Sequence, residues 1–172
     1  MMTESQKSKL AEYTAAKASC PARERLAALF DDGVFTETAS GRNEGVVTAY
    51  GYINGCPAYA FSQDSTVSKG AVSRAHSEKI CRMFDLAAKN GVPVVGIYDS
   101  CGAFIEDGAD ALNAYSEILL EAGNLSGVVP TVSVVSGVCA GSMAVIACAA
   151  DYVVMTEKAE LYATAGGDSG VK

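Results

Sequence analysis

The sequence predicts a single α/β domain in which an antiparallel hairpin precedes alternating helices and parallel strands. Short β-branched apolar runs alternate with segments of helical periodicity, an order that requires right-handed crossovers between parallel strands. The 172 residues are 49% hydrophobic and 19% charged, a composition that is far from disorder and supplies a substantial core. We expect one domain over residues 1–172, with a helical lead-in over about 1–40 and a β/α core over about 44–165.

The first part of the chain is predicted to form two helices and a hairpin. Residues 4–17 are charged and alanine-rich, and residues 22–30 place apolar side chains among charged ones, so both segments favour helix. Residues 45–64 change to the pattern of strands around Asn54 and Gly55, a pair that favours the tight turn of a hairpin. The sheet is therefore expected to begin with two antiparallel strands.

Three helices and three strands are predicted to follow in alternation. The first helix is expected to end at Gly91, where glycine can adopt the left-handed conformation of a C-cap. The second helix is expected to stop at Gly123 and to turn four apolar residues toward the core: Leu112, Tyr115, Leu119 and Ala122. The first helix covers residues 71–89 and the third covers 139–150. The three strands cover residues 92–98, 128–135 and 152–155.

Charge and cysteine content exclude several classes of function. A net charge of −7 opposes binding to nucleic acid, which needs clustered cations. The six cysteines form no CxxC motif, and no histidine-rich segment accompanies them. We therefore expect reduced thiols, a cytoplasmic location and no metal site. Residues 128–150 are apolar enough to suggest a membrane span, but Pro130 and the β-branched run before Gly137 favour strand, turn and helix instead.

Two short segments rich in small residues carry the candidate chemistry. The first motif, DSCGA at residues 99–103, and the second motif, GVCAGS at residues 137–142, each follow a β-branched apolar run. Open α/β sheets bind ligands at the carboxyl edge of their strands, where bare backbone can approach closely. The N–H groups of Gly102, Ala103, Gly141 and Ser142 are therefore candidates for an oxyanion hole that stabilises a thioester enolate. Small residues needed only for close packing of helix on strand explain the pattern equally well.

Other side chains near the motifs offer weaker candidates for catalysis. Ser100 and Cys101 suggest a nucleophile, but the GxSxG elbow is absent and the one histidine, His76, lies on a distant predicted helix. The carboxylates of Glu106 and Asp107 are expected to cap a helix start rather than to act as general acids.

Basic residues border a glycine-containing loop before the first of the three helices. Lys69, Gly70 and Arg74 are candidates for holding phosphate groups, although the chain as a whole is acidic. A helix face that is exposed to solvent explains Lys69 and Arg74 equally well, without any bound phosphate.

Three further segments join the two motifs in a specific order. They are GVVTAYGYING at residues 45–55, FSQD at residues 61–64 and HSEKI at residues 76–80. Together, over nearly the whole chain, these sequences resemble the carboxyltransferase subunits of biotin-dependent acyl-CoA carboxylases, and those of methylmalonyl-CoA and glutaconyl-CoA decarboxylases. The resemblance implies a crotonase-like β/α spiral and an enzyme that transfers a carboxyl group between biotin and an acyl-CoA.

The resemblance also assigns roles to the candidate residues. It implies that Gly141 and Ser142 hold the thioester oxygen, that Gly102 and Ala103 line the same pocket, and that the loop over 69–74 lies along the CoA. It further implies that carboxybiotin arrives on a separate biotin carrier protein, that its ureido group serves as the base, and that this chain needs no metal.

The chain departs from the family pattern close to the implied pocket. The family commonly has glycine, glycine, arginine and glycine at four positions occupied here by Ala71, Cys101, Phe104 and Ser142. The resemblance also implies a second carboxyltransferase half, or a homo-oligomer, that completes the site. Two alternatives remain open: a non-catalytic subunit that organises such a complex, and a stand-alone crotonase-type hydratase or isomerase with a carboxylate over the acyl chain.

Overall fold

The computed structural model describes residues 20–39 and 44–164. Four helices and seven strands occupy these ranges, and the predicted helix over 4–17 lies outside them. The helices are α1 (Pro21–Leu29), α2 (Arg74–Asn90), α3 (Ala109–Leu125) and α4 (Ser142–Cys148). The strands are β1 (Phe35–Glu37), β2 (Val46–Ile53), β3 (Cys56–Gln63), β4 (Val94–Ser100), β5 (Thr131–Ala140), β6 (Tyr152–Met155) and β7 (Glu160–Tyr162).

One mixed sheet runs in the order β1-β2-β3-β4-β5-β6, and β7 pairs with the carboxyl end of β5. Strands β1 to β3 are antiparallel and β3 to β6 are parallel, so the predicted α/β fold with a leading hairpin is confirmed. The hairpin turns at Asn54 and Gly55, whose positive φ values of 50° and 75° suit the type I′ turn that this pair favours.

Helices cover both faces of the sheet. In β2, Val46 belongs to the apolar cluster that α2, α3 and α4 complete, whereas its neighbour Val47 packs with Leu26 and Phe30 on the opposite face. Successive side chains of a strand point to opposite faces, so this one strand supplies both clusters. A Cβ on Gly51 would lie 2.6 Å from the Phe30 ring, and glycine there lets the end of α1 approach the sheet.

The buried face of α3 differs from the prediction. The prediction is correct for Tyr115, which is buried, and for Ala122, which packs partly buried against the core. It is wrong for Leu112 and Leu119, which are 68% and 45% exposed. The buried side consists of Ala111, Ala114, Tyr115, Ile118 and Leu125. Apolar residues occupy most of the circumference of this helix, so spacing alone does not identify the core stripe. Packing against α2 and α4 decides which stripe is buried.

Strand β5 is longer than predicted and includes most of the second motif. The helix predicted to start at residue 139 begins only at Ser142, because Val138 and Ala140 pair with β7 and Cys139 pairs with Ser100 of β4. The apolar segment over 128–150 is therefore divided between a strand and a short helix. None of the helices in the described part of the chain is long and apolar enough to cross a membrane.

Candidate functional site

The first motif forms the turn that leaves β4. Main-chain hydrogen bonds tie this turn to the loop before α2. The Cys101 N–H donates to the Lys69 oxygen at 3.0 Å, and the Val72 N–H donates to the Gly102 oxygen at 2.9 Å. The Phe104 N–H returns to the Val72 oxygen at 3.0 Å. Gly102 has a φ of +121°, a conformation that glycine adopts without strain, and the hydrogen bonds to Lys69 and Val72 hold the turn in place.

The second motif leaves β5 and opens α4. Gly141, with φ 68° and ψ −141°, is the residue before the helix, and Ser142 is the first helical residue. The positive φ therefore falls on Gly141, and the Cβ of Ser142 adds no backbone strain. The Gly141 N–H donates to the Tyr162 oxygen at 3.0 Å, which ties the motif to β7.

Two of the four predicted amide donors have acceptors in the protein. The Gly102 N–H donates to Ser100 Oγ at 3.3 Å, and the Gly141 N–H is bound to β7. Neither the Ala103 nor the Ser142 N–H makes a hydrogen bond within residues 20–39 and 44–164. Ser142 belongs to the first turn of α4, whose N–H groups have no partner inside the helix. Both residues are exposed.

The two motifs lie side by side at the carboxyl edge of the sheet. Ser100 pairs with Cys139 across β4 and β5, and a Cβ on Gly102 would lie 4.0 Å from the Ala140 oxygen. The carboxyl edge of parallel strands is where open α/β sheets bind ligands. The structure thus brings the two segments that the sequence singles out to one edge.

A cleft of about 490 Å³ opens beside the first motif, a size typical of small-molecule sites. Val67, Ala71 and Phe104 give the cleft an apolar wall, and its carboxylates belong to Glu44, Glu78 and Asp107. Two of the departures from the family pattern, Ala71 and Phe104, therefore lie in this cleft. They make its wall more apolar than glycine and arginine would.

The two cations predicted to hold phosphate occupy different surroundings. Arg74 lines the cleft, but its Nε donates to Glu78 Oε1 at 3.0 Å, and this hydrogen bond raises the pKa of the guanidinium. Its main-chain N–H donates to Asp107 Oδ2 at 3.1 Å, so Asp107 caps α2 rather than the helix that follows it. Lys69 is exposed and makes no ion pair with any described residue. Phosphate binding by these residues stays a prediction.

A hydrogen-bonded network that the sequence alone did not indicate surrounds Asp99, the first residue of the first motif. The Asp99 carboxylate accepts hydrogen bonds from Arg25 Nη2 at 2.5 Å and from Ser65 Oγ at 2.7 Å. The Asp99 N–H donates to Gln63 Oε1 at 3.0 Å. The contact with Arg25 joins residues 74 positions apart, which no local spacing reveals.

Two glycines make room for Asp99. A Cβ on Gly137 would overlap the Asp99 carboxylate and lie 2.7 Å from its Cγ. A Cβ on Gly70 would overlap the main-chain oxygen of Asp99 and lie 3.1 Å from Ser100 Cα. These close approaches account for glycine at both positions.

The candidate nucleophiles have no base beside them among the described residues. Ser100 is buried, and its Oγ accepts the Gly102 N–H. His76 is buried and lies against Gln63, with the two Nε2 atoms 3.3 Å apart. Within the described ranges, no group of three or more His, Cys, Asp or Glu side chains is placed to hold a metal ion.

Burial of His76 predicts a loss of stability in acid. Desolvation lowers the pKa of His76 from 6.5 to about 3, so the folded state keeps the imidazole neutral while the unfolded chain binds a proton. The free energy of unfolding should therefore fall as the pH drops from about 6.5 toward 3, by up to about 1.4 kcal/mol per pH unit from this group. Urea unfolding of the native protein and of His76→Gln across this range measures the difference. Equal slopes in the two proteins would contradict the prediction.

Comparisons with known sequences identify the family. The carboxyl transferase domain family matches residues 14–170. Methylmalonyl-CoA decarboxylase subunit alpha of Propionigenium modestum is 43% identical, over 80% of this chain and 29% of its own length. The propionyl-CoA carboxylase beta chain of Roseobacter denitrificans is 40% identical, over 86% of this chain and 32% of its own length. The chain thus spans about a third of the length of these curated relatives.

Solved structures share the fold. Transcarboxylase 12S, a hexamer crystallised with hydrolysed methylmalonyl-coenzyme A, superposes with a TM-score of 0.85 and 31% identity over 95% of this chain and 38% of its own. A Pseudomonas malonate decarboxylase hetero-dimer gives a TM-score of 0.77 and 30% identity over 84% of this chain and 65% of its own. The predicted crotonase-like architecture is confirmed. With a family match over most of its length, this chain belongs to the carboxyl transferase domain family of acyl-CoA carboxylases and decarboxylases.

Proposed function

We propose that this chain is the acyl-CoA-binding component of a biotin-dependent carboxyltransferase, which transfers a carboxyl group between biotin and an acyl-CoA. The observation that carries the proposal is the pair of unbonded amides at Ala103 and Ser142, at the ends of adjacent parallel strands. Such donors stabilise a thioester whose α-carbon loses a proton, because the negative charge develops on the thioester oxygen. The methylmalonyl-coenzyme A bound to transcarboxylase 12S supports the same substrate class.

The proposed role of this chain is to bind and polarise the thioester. The Ala103 and Ser142 amides form the oxyanion hole and hold the thioester oxygen while charge develops on it. Gly102 and Gly141, whose amides are bound to the protein, keep the two turns in place. When bound, carboxybiotin on its carrier protein supplies the carboxyl group and a ureido base. A side-chain base in this chain is not required.

The cleft beside the first motif suits the arm of the CoA. Val67 and Phe104 line the cleft and offer apolar surface to the pantetheine chain. Lys69, which is exposed and follows the cleft residue Ser68, offers an ammonium group to a phosphate.

The proposed activity requires a second carboxyltransferase half or a second copy of the chain. Leu112, Leu119 and Leu120 form an exposed apolar row on α3, and Val145 is exposed on α4, one turn after Ser142. Exposed apolar rows of this kind mark interaction surfaces. The partner would present the biotin of the carrier to the thioester bound at the two motifs.

Calorimetric titration of the chain with CoA thioesters tests the proposal. Acetyl-, propionyl- and glutaryl-CoA are titrated with and without the candidate second half. A thioether analogue of propionyl-CoA, which lacks the carbonyl oxygen, serves as the matched control. We expect saturable heat with the thioesters and binding of the thioether roughly tenfold weaker, because two hydrogen bonds to the oxygen are lost. No heat with any thioester, or equal affinity for the thioether, would contradict the oxyanion hole.

Turnover assays separate this proposal from its two alternatives. A scaffolding subunit would bind the thioester without carboxyl transfer in the assembled complex, and the departures at Phe104 and Ser142 are what raise this possibility. A stand-alone hydratase or isomerase would convert an enoyl-CoA without biotin. Two of the three carboxylates that line the cleft, Glu78 and Asp107, are engaged with Arg74, and this engagement does not favour that reaction.

A further inference from the structure

The strands that carry the two motifs pair irregularly where the first motif begins. Tyr98 of β4 pairs with Val135 of β5, but Ser100 pairs with Cys139, so β5 has two more residues than β4 in this interval. The extra length lies opposite Asp99 and includes Gly137. Bulges of this kind bend a strand and re-aim its side chains, and they are common next to functional sites.

The Asp99 carboxylate fills the space beside this bulge. A Cβ on Gly137 would overlap it, so the side chain of β4 lies directly against the main chain of β5. The Asp99 side chain is 11% exposed, and its charge is balanced by Arg25 Nη2 at 2.5 Å. Ser65 Oγ donates to the same oxygen at 2.7 Å. Charge-assisted hydrogen bonds that are shielded from water hold their geometry more strongly than exposed ones.

The main chain of Asp99 is held as well as its side chain. Its N–H donates to Gln63 Oε1 at 3.0 Å, and Arg25 Nη1 donates to the Gln63 oxygen at 2.9 Å. One guanidinium therefore bridges the end of β3 and the end of β4. On the opposite side, Gly70 packs closely against the Asp99 carbonyl group. Contacts from α1, β3, β5 and the loop before α2 converge on this single residue.

We propose that Asp99 is a positioning residue, which sets the offset between the first and second motifs so that the Ala103 and Ser142 amides face one ligand oxygen. The inference rests on the proposed function, because it concerns the same two amides. The carboxylate acts through the bulge of β5 and not by contact with the substrate, since Arg25, Ser65 and Gly137 surround it. Loss of the charge would release the offset and misalign the second motif.

The variant Asp99→Asn, made in the full chain, tests this role against a matched control. The control is Glu37→Gln. Glu37 pairs at 2.7 Å with Arg23, which lies on α1 as Arg25 does, and the Glu37 side chain is 15% exposed. Glu37 lies on β1, away from both motifs. Both variants replace a largely buried paired carboxylate with an amide of the same shape. Three quantities are measured in each: the thermal midpoint, the affinity ratio between propionyl-CoA and its thioether analogue, and hydrogen exchange over residues 99–104 and 137–144.

We expect both variants to lower the thermal midpoint, and only Asp99→Asn to change the site. In that variant the preference for the thioester should fall from roughly tenfold to near one, because misaligned amides lose both hydrogen bonds. Exchange should accelerate in both motif segments. Ser65→Ala, which removes one hydrogen bond and leaves the ion pair, should give an intermediate result and serves if Asp99→Asn does not fold.

Three results would overturn the inference: an unchanged thioester preference, faster exchange in residues 99–104 alone, or the same changes in Glu37→Gln. Failure of the proposed function has a different signature, because the unaltered protein would then show no thioester preference at all. In that case the hydrogen-exchange measurement still tests whether Asp99 couples the two motifs. Faster exchange over 137–144 in Asp99→Asn alone supports the coupling of the two motifs, and unchanged exchange refutes it.

Discussion

Gly70→Ala is expected to lower the free energy of unfolding by about 2–5 kcal/mol, because two penalties act on one methyl group. The first is conformational: Gly70 has a φ of +68°, where an L side chain costs about 1–2 kcal/mol. The second is steric: the new Cβ would overlap the main-chain oxygen of Asp99, which cannot move away as a flexible side chain could. Relief by backbone shifts costs about 1–3 kcal/mol more. Urea unfolding of the two proteins measures the sum.

Gly55→Ala is the matched control for this prediction. Gly55 has a similar φ of +75°, but nothing lies within 4 Å of where its Cβ would sit. It should therefore show only the conformational cost, about 1–2 kcal/mol. A loss at Gly70 no larger than the loss at Gly55 would mean that the loop before α2 yields easily and does not brace Asp99.

Ser142→Pro is expected to reduce carboxyl transfer by about 10²–10³-fold in the assembled enzyme, the usual effect of removing one oxyanion donor. Proline has no N–H group, so the substitution deletes the amide that the proposed function assigns to the thioester oxygen. The fold should survive, because Ser142 is the first residue of α4 and proline is favoured at that position. Carboxyl transfer to propionyl-CoA, with the second half and the biotin carrier present, is the measurement.

Ser142→Ala keeps the amide and removes only the hydroxyl, so it should retain most of the activity. Circular dichroism of both variants confirms that α4 is intact. If the proline and alanine variants were equally active, the second motif would not hold the thioester oxygen. If both were inactive, the hydroxyl that departs from the family pattern would itself be essential.

Local features of the fold could be predicted because their causes are local. The pair Asn54 and Gly55 specifies its turn through two positive φ values, and Gly91 ends α2 in the left-handed conformation. The strand, turn and helix order around the two motifs follows from β-branched runs that end in small residues. In the site, this order placed both motifs at the carboxyl edge, where the structure has them.

Features that depend on packing or on distant contacts could not be predicted from spacing. The core stripe of α3 is set by its neighbours, so Leu112 and Leu119 resembled core residues although they are exposed. Arg25 is one of several charged residues in the predicted helix over 22–30, and only the folded chain brings it to Asp99. Of the four predicted donors, the Gly141 amide is occupied because β7 returns to pair with β5, an arrangement that the second motif itself does not encode.

Strand β6 is the last strand in the order of the sheet, and no described strand lies beyond it. Its four residues are all apolar and exposed: Tyr152, Val153, Val154 and Met155. An uncovered apolar strand of this kind templates pairing with other chains. Recombinant expression of the polypeptide by itself is therefore prone to inclusion bodies. Co-translation with a candidate second half, from one bicistronic message, is the practical route to material for the assays of carboxyl transfer.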